Sequence, residues 1–278
     1  MPREYIGNQR ITNESYRNVH DAVVHLGKRH FASEAQVIAE RNLAPLDSPV
    51  WKFYGWTRGM RLIPKGDKPY LLARDSILLN PETAQKAVAA NQGGELFYPD
   101  KEVYEAHYQI AKADKDKLPG RQRVMLLPSQ DTFTISDGED KTLRFLARGK
   151  KAGKTFFARI KESGRNGIPF YLPSADWVRQ NAGATFLQHS WLSGLAGASS
   201  FSGRGRDLRY RGHAFGVFPV SRPAGERKIS PRGKQAAKSE PLVMPCTPRQ
   251  VQRELKRIGR LESEILKVRI FLEGLRKE

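Results

Sequence analysis

The sequence predicts an α+β protein: a helical N-terminal module, an antiparallel β-rich middle module and a long C-terminal helix. Three observations carry that expectation. Capping residues and apolar residues at helical spacing mark the chain before residue 78. Runs rich in aromatic and β-branched residues, separated by polar turns with glycine, fill Val124 to Leu172. From Val251 onward, apolar residues recur every seven positions. The implied organisation is 1–78, 79–218, a basic linker over 219–246, and a heptad helix over 247–278.

In the first module, Asn13 is placed to cap a helix with Tyr16, Val19, Val23 and Leu26 on one face. Ser33 and Gln36 have the spacing of a capping box and open a second helix through Val37, Ile38 and Arg41. Ser48 and Pro49 supply a cap and a first-turn proline for a third, WKFYGWTRGM. Two extended runs, RLIP and PYLLA, follow around the turn KGDK. Three helices and a basic hairpin between Ile11 and Asp75 resemble a winged helix-turn-helix in their order of elements. That resemblance implies that Lys52, Trp56 and Arg58 enter a DNA groove on the third helix, while Lys65 and Lys68 on the wing touch phosphates. The alternative is that Trp51, Phe53, Tyr54 and Trp56 are core of an ordinary helical domain.

The second module begins with a helical hairpin, PETAQKAVAANQ and then DKEVYEAHYQIAKADKDK. The runs VMLLP, TFTIS, TLRFLA, TFFARI and IPFYLP then predict four or five antiparallel strands. In this scheme RGKKAGK is the tip of a hairpin, where Arg148, Lys150, Lys151 and Lys154 track a phosphate backbone. A helix from Ser174 across Trp177 and Val178 precedes a further apolar stretch from Phe186 to Leu192 and a last extended run, HAFGVFPV.

Composition points to a partner. The chain has 278 residues, with 48 Lys and Arg against 29 Asp and Glu, for a formal charge of +19. Such an excess repels itself unless a polyanion is near, so nucleic acid is the expected partner. The segment SFSGRGRDLRYRGHAFGVF sets Arg204, Arg206, Arg209 and Arg211 among glycines. Glycines admit close backbone approach to an anion and arginines supply bidentate donors, so the segment has the ingredients of a phosphate clamp, with Tyr210 available to stack on a base.

A glycine-rich basic loop before a final strand is also similar to that of the CRISPR-associated RNA-processing endoribonucleases of ferredoxin-like fold, over some twenty residues. That resemblance implies His213 or Tyr210 as general acid or base in metal-free RNA cleavage, with Arg204 or Arg206 stabilising the phosphorane.

Other chemistries lack the residues they need. The single cysteine, Cys246, allows no internal disulfide and no cysteine-based zinc site. No P-loop, dinucleotide fingerprint or G-x-S-x-G elbow occurs. His20, His25 and His30 step by five and spread around a helix, and Asp131 with Glu139 and Lys141 reads as turn, so no metal or cofactor is expected. No apolar run is long enough for a membrane span, and MPREYIGNQR lacks the apolar core of a signal peptide, which leaves a cytoplasmic or nucleoid-associated protein as the expectation.

From Pro219 to Pro245 the chain is rich in proline and charge and reads as flexible linker. Thr247, Pro248 and Gln250 form a helix start, and Val251, Ile258, Leu261, Ile265, Val268, Leu272 and Leu275 form a seam that suits a coiled-coil dimer or a docked partner helix. The functional expectation is therefore a nucleic-acid-binding subunit of a nucleoprotein complex, an RNA-guided assembly or one serving replication or regulation of a mobile element. The alternatives are a metal-independent endoribonuclease, a sequence-specific winged-helix dimer, and an assembly protein that neutralises packaged nucleic acid.

Overall fold

One mixed sheet organises the chain in a computed structural model, which describes residues 9–195, 200–205 and 207–219. The chain divides into two compact units, 1–226 and 227–278, and the described residues all belong to the first. The linker beyond Pro219 and the heptad helix at 247–278 lie outside the described residues.

Nine strands form the sheet: β1 (Gln9–Tyr16), β2 (Gly55–Ile63), β3 (Leu71–Ala73), β4 (Val124–Leu126), β5 (Phe133–Ile135), β6 (Ile168–Phe170), β7 (Phe186–Leu192), β8 (Phe201–Arg204) and β9 (Gly212–Pro219). Their order is β1-β9-β2-β7-β8-β6-β5, with β3 joined to β2 and β4 to β3. Most pairs are antiparallel; β2 with β9 and β6 with β8 are parallel. The first and last described strands pair over eight residues, from Gln9 opposite Pro219 to Tyr16 opposite Gly212. Pairing partners this far apart in sequence leave no local trace in either segment.

Among the described residues, seven helices cover the sheet: α1 (Val19–His30), α2 (Glu34–Leu43), α3 (Pro81–Gln92), α4 (Lys101–Ala113), α5 (Lys141–Leu146), α6 (Lys150–Glu162) and α7 (Ala175–Asn181). They bury two separate cores. Val23 and Leu26 of α1, Ala87 of α3 and Tyr104 of α4 pack with Trp56, Leu62 and Leu187. Val37 and Ile38 of α2 and Phe156 and Ile160 of α6 pack with Phe170, Phe186 and Phe215. Burying an apolar side chain of this size is worth about 1.5–3 kcal/mol, so each core is a substantial stabilising body.

Several local signals act as read. Ser33 and Gln36 close a capping box on α2. The KGDK turn joins β2 to β3 in an antiparallel pair, with Gly66 at φ 90°. The helix read from Ser174 forms as α7, capped through the Trp177 amide, and PETAQKAVAANQ forms α3, whose cap, Asn80, the sequence reading did not name.

Four expectations are corrected. The first helix does not start at Asn13, because Ile11 to Tyr16 belong to β1; α1 starts at Val19, capped by Asn18 through the Asp21 amide at 2.9 Å. The third helix is absent: Pro49–Trp51 makes one 3₁₀ turn and Gly55 opens β2, the central strand. Without that helix there is no winged helix-turn-helix, and Trp51 and Trp56 are fully buried core. TLRFLA and TFFARI are α5 and α6 rather than strands. Asp140 caps α5 through the Thr142 and Leu143 amides, and Gly153, Phe156, Phe157 and Ile160 line the buried side of α6 at helical spacing. RGKKAGK is therefore the start of a helix, with Arg148 at φ 56° leading into it, and not a hairpin tip.

A buried polar layer links α2 to the sheet. Thr57 donates to the Glu34 carboxylate at 2.9 Å, and Arg61 donates to the Tyr171 carbonyl at 3.2 Å while its guanidinium lies 4.3 Å from the Phe170 ring centroid. Burial raises the Glu34 pKa and lowers that of Arg61 to about 9.

Candidate recognition surface

Close backbone approach builds the surface at one end of β2. A side chain at Gly55 would run into the His213 carbonyl, and one at Gly212 would lie 2.7 Å from the Trp56 ring. Only glycine permits β9 to pass this near to β2, where Trp56 pairs with Ala214. The crossing brings the neighbours of these glycines together: the Tyr54 and His213 ring centroids are 4.7 Å apart. Asn13 of β1 donates to the Tyr54 carbonyl at 2.9 Å and ties the outer strand to the same point.

The stack continues across the sheet. Trp191 of β7 lies 5.8 Å from Tyr54 and edge-on to Trp56 at 5.7 Å. The Arg204 guanidinium of β8 sits 4.8 Å from the Trp191 ring centroid and donates to Asp207 at 2.8 Å. The result is a row His213, Tyr54, Trp191, Arg204, Asp207 drawn from three strands, the segment just before β2 and one 3₁₀ turn. Its members are half exposed or exposed, and Tyr54 is 44% open. The ring pairs of the row are tilted, at 59° and 42°, and such pairs and a cation over indole each contribute about 0.5–1.5 kcal/mol beyond the area they bury, which favours this arrangement of the row.

Two buried anchors stiffen its supports. Arg41 of α2 donates to the carbonyls of Val50, Phe53 and Ser193, at 3.2, 2.7 and 3.0 Å, and so clamps the turn leading into Tyr54 to the end of β7. Burial pulls its pKa down to about 9, and three carbonyl acceptors take up its donors. On the other side Leu208 is fully buried, and its amide donates to the Asn91 side chain of α3 at 3.0 Å. Tyr210, 53% exposed, stands just beyond this anchor with the Arg209 guanidinium against its ring.

The residues expected to grip phosphates do not gather into one site. Lys150 and Lys154 both pair with Glu139, at 2.9 and 2.6 Å, and hold its carboxyl down at about 2. Arg58 pairs with Asp75 at 2.5 Å, and Lys68 pairs with Glu105 and lies over Tyr104. Lys52, Lys65, Arg148 and Lys151 are exposed at scattered places, and Arg206 lies outside the described residues. Arg209 donates to the Gln92 carbonyl at 3.1 Å and to the Tyr210 hydroxyl, and Arg211 is exposed beside them. Of the expected residues, Arg204 meets Trp191, His213 meets Tyr54 and Arg209 meets Tyr210, so these side chains meet aromatic rings rather than an open glycine cradle.

Sequence reasoning missed Tyr54, Trp191 and Asp207 as surface residues. A signal was present: Tyr54-Gly55-Trp56 places a glycine between two aromatics, which marks a strand under close backbone approach rather than a helix.

No family model matches the sequence, and no curated protein matches it. The chain is similar to a solved structure concerned with the accommodation of massive sequence variation in Nanoarchaeota by the C-type lectin fold. The two are 11% identical with a TM-score of 0.54, and the match covers 78% of this chain and 100% of that one. This likeness overturns the expectation of a nucleic-acid-binding protein, together with its endoribonuclease and winged-helix variants. The architecture is of the C-type lectin kind, and half of the basic residues on which that expectation stood, Arg58, Lys68, Lys150, Lys154, Arg204 and Arg209, are held by carboxylates or rings of the chain itself.

Proposed function

We propose that this unit is a protein-recognition module, in which a rigid sheet of C-type lectin architecture presents the row of Tyr54, Trp191, Arg204, Asp207 and His213, together with the exposed Tyr210, to a folded protein ligand. One observation carries the reading: the row is exposed or partly exposed, yet its backbone is held from behind, by the close approach at Gly55 and Gly212, by the Arg41 bonds to the chain before Tyr54 and after Trp191, by the β7 pairing of Arg204, and by the buried Leu208 beside Asp207. Tyrosine, tryptophan and arginine dominate the energetic centres of protein interfaces, because they bury large area with few rotamers to freeze. Separation of scaffold from presented side chains is also what a fold needs to accommodate sequence variation, as the similar structure does.

The test randomises these six positions together on a displayed library of the full chain and selects against several unrelated folded proteins. The reading expects a large share of the library to keep the parent melting behaviour and to yield binders. It also expects single Ala substitutions at these positions to weaken the selected binders by tenfold or more, about 1.4 kcal/mol. A library that loses its cooperative melting, or folds but yields no binder, overturns it.

A further inference from the structure

We propose that a cleft between the end of α4 and the start of α5 binds an extended acidic segment of a partner protein, which adds as a strand to the free edge of β4. The cleft encloses about 450 Å³, with Ala111, Val124 and Leu126 in its lining and Lys115, Lys117 and Lys141 around it. That volume falls within the range of about 300–1,000 Å³ typical of binding clefts.

The strand register defines what the cleft offers. The Arg74 amide donates to the Arg123 carbonyl, and the Leu127 amide donates to the Tyr70 carbonyl, so residues 123, 125 and 127 direct their main-chain groups toward β3. Antiparallel alternation then turns the N–H and C=O of Val124 and Leu126 the other way. Among the described residues no strand pairs with β4 on that side, and Leu126 is 41% exposed. An unpaired edge of this kind is a template for an incoming extended chain.

Charge selects the occupant. Lys117 reaches Asp114 at 2.6 Å, but that buried carboxylate already accepts from Arg123, and the Arg123 and Lys117 bonds hold its pKa far below the ordinary range against the opposing effect of burial. Among the described residues, Lys115 and Lys141 have no carboxylate in ion-pair range. Asp140, the acid that lines the cleft, accepts from the amides of its own helix start. A strand with alternate acidic residues sets its carboxylates on one side at a two-residue period, against the lysines, and its apolar residues against Leu126 and Ala111.

The test uses the full chain and a fluorescein-labelled octapeptide alternating glutamate with valine, followed by anisotropy. The expected result is saturable binding that falls at least tenfold in the Lys115→Glu/Lys141→Glu variant and for the lysine-for-glutamate peptide. It also falls at least tenfold in Leu126→Pro, where proline removes a donor that β3 does not use and so leaves the sheet intact, as an unchanged melting temperature verifies. Equal binding of an N-methylated peptide would indicate a small acidic ligand instead of an added strand and overturn the proposal. So would no binding up to about 1 mM, or a change of oligomeric state in Leu126→Pro that puts a second copy of the chain in the cleft.

Discussion

The two basic segments that look alike in sequence, Arg148 to Lys154 and Arg204 to Arg211, meet opposite fates. The first becomes the start of α6, where Lys150 and Lys154 point away from the core and share Glu139. The second becomes a strand end and a turn, where Arg204 lies on Trp191, Arg209 lies on Tyr210, and Leu208 pins the chain to α3. The difference comes from the apolar residues that accompany the charges. After Lys154, Phe156, Phe157 and Ile160 recur at helical spacing and commit the segment to a face. Leu208 stands alone, so its segment is held at one point and keeps its arginines at the surface. A basic run thus takes its role from the few large side chains within reach, not from its charge.

The largest expected effects come from removing those anchors. Phe156 is fully buried and stacks on Trp51 with centroids 5.7 Å apart, so Phe156→Ala should destabilise by about 3–5 kcal/mol. Leu208→Ala should cost about 2–5 kcal/mol, toward the lower end because the turn can relax into solvent. The two should separate in hydrogen exchange. The first variant loosens protection throughout the α2 and α6 side of the sheet, whereas the second exposes the 207–211 turn and its contact with α3. Equal loss everywhere in both variants would mean that the second segment is not locally held.

What the sequence made legible follows the same division between local and distant causes. The capping box at Ser33 and the KGDK turn are written within a few residues and form as read. β1 was misread as helix because its partner, β9, lies some two hundred residues away. TFFARI was misread as strand because its β-forming residues hid a helical period that the 3.6-residue count exposes. At the candidate surface, Arg204, Tyr210 and His213 were legible as chemistry, but Trp191 and Tyr54 were not. Their meaning depends on two glycines from different strands touching the same spot.

Beneath the second segment lies a fully buried histidine. His189 of β7 pairs with Arg204 in the sheet register, is fully buried, and packs edge-on against Phe31 at 5.7 Å. Burial lowers its pKa to about 3. Below the ordinary imidazole value of about 6.5, the unfolded chain takes up a proton that the native chain refuses until about pH 3. Stability therefore falls as the pH drops through that window, by about 1.4 kcal/mol per unit for this one group, and is unaffected by it above the window. His189→Leu keeps the volume and removes the proton. Denaturant titrations of both proteins should agree in slope above the window and diverge below it, with the parent chain losing more. Parallel curves down to pH 4 would show that His189 is charged in the native state, and that the segment above it rests on a wetter floor than its packing implies.

Glycines give the finest separation between the two segments. Gly212 follows the second, and a methyl group there meets the Trp56 ring beneath the recognition row. Gly212→Ala should cost about 1–3 kcal/mol of overpacking and shift the near-ultraviolet signal of Trp56 and Trp191, whose rings are in contact. Gly149 lies within the first segment at the N-cap of α6, with open space where a side chain would go. Its φ of 165° is ordinary extended backbone, so Gly149→Ser should stabilise by a few tenths of a kcal/mol, roughly the N-cap preference for serine over glycine. If both substitutions are silent in thermal melts, β9 does not approach β2 as closely as the surface requires. If Gly149→Ser alone is stabilising and Gly212→Ala alone perturbs the tryptophans, one segment is a helix start open to solvent and the other is the rim of a packed site.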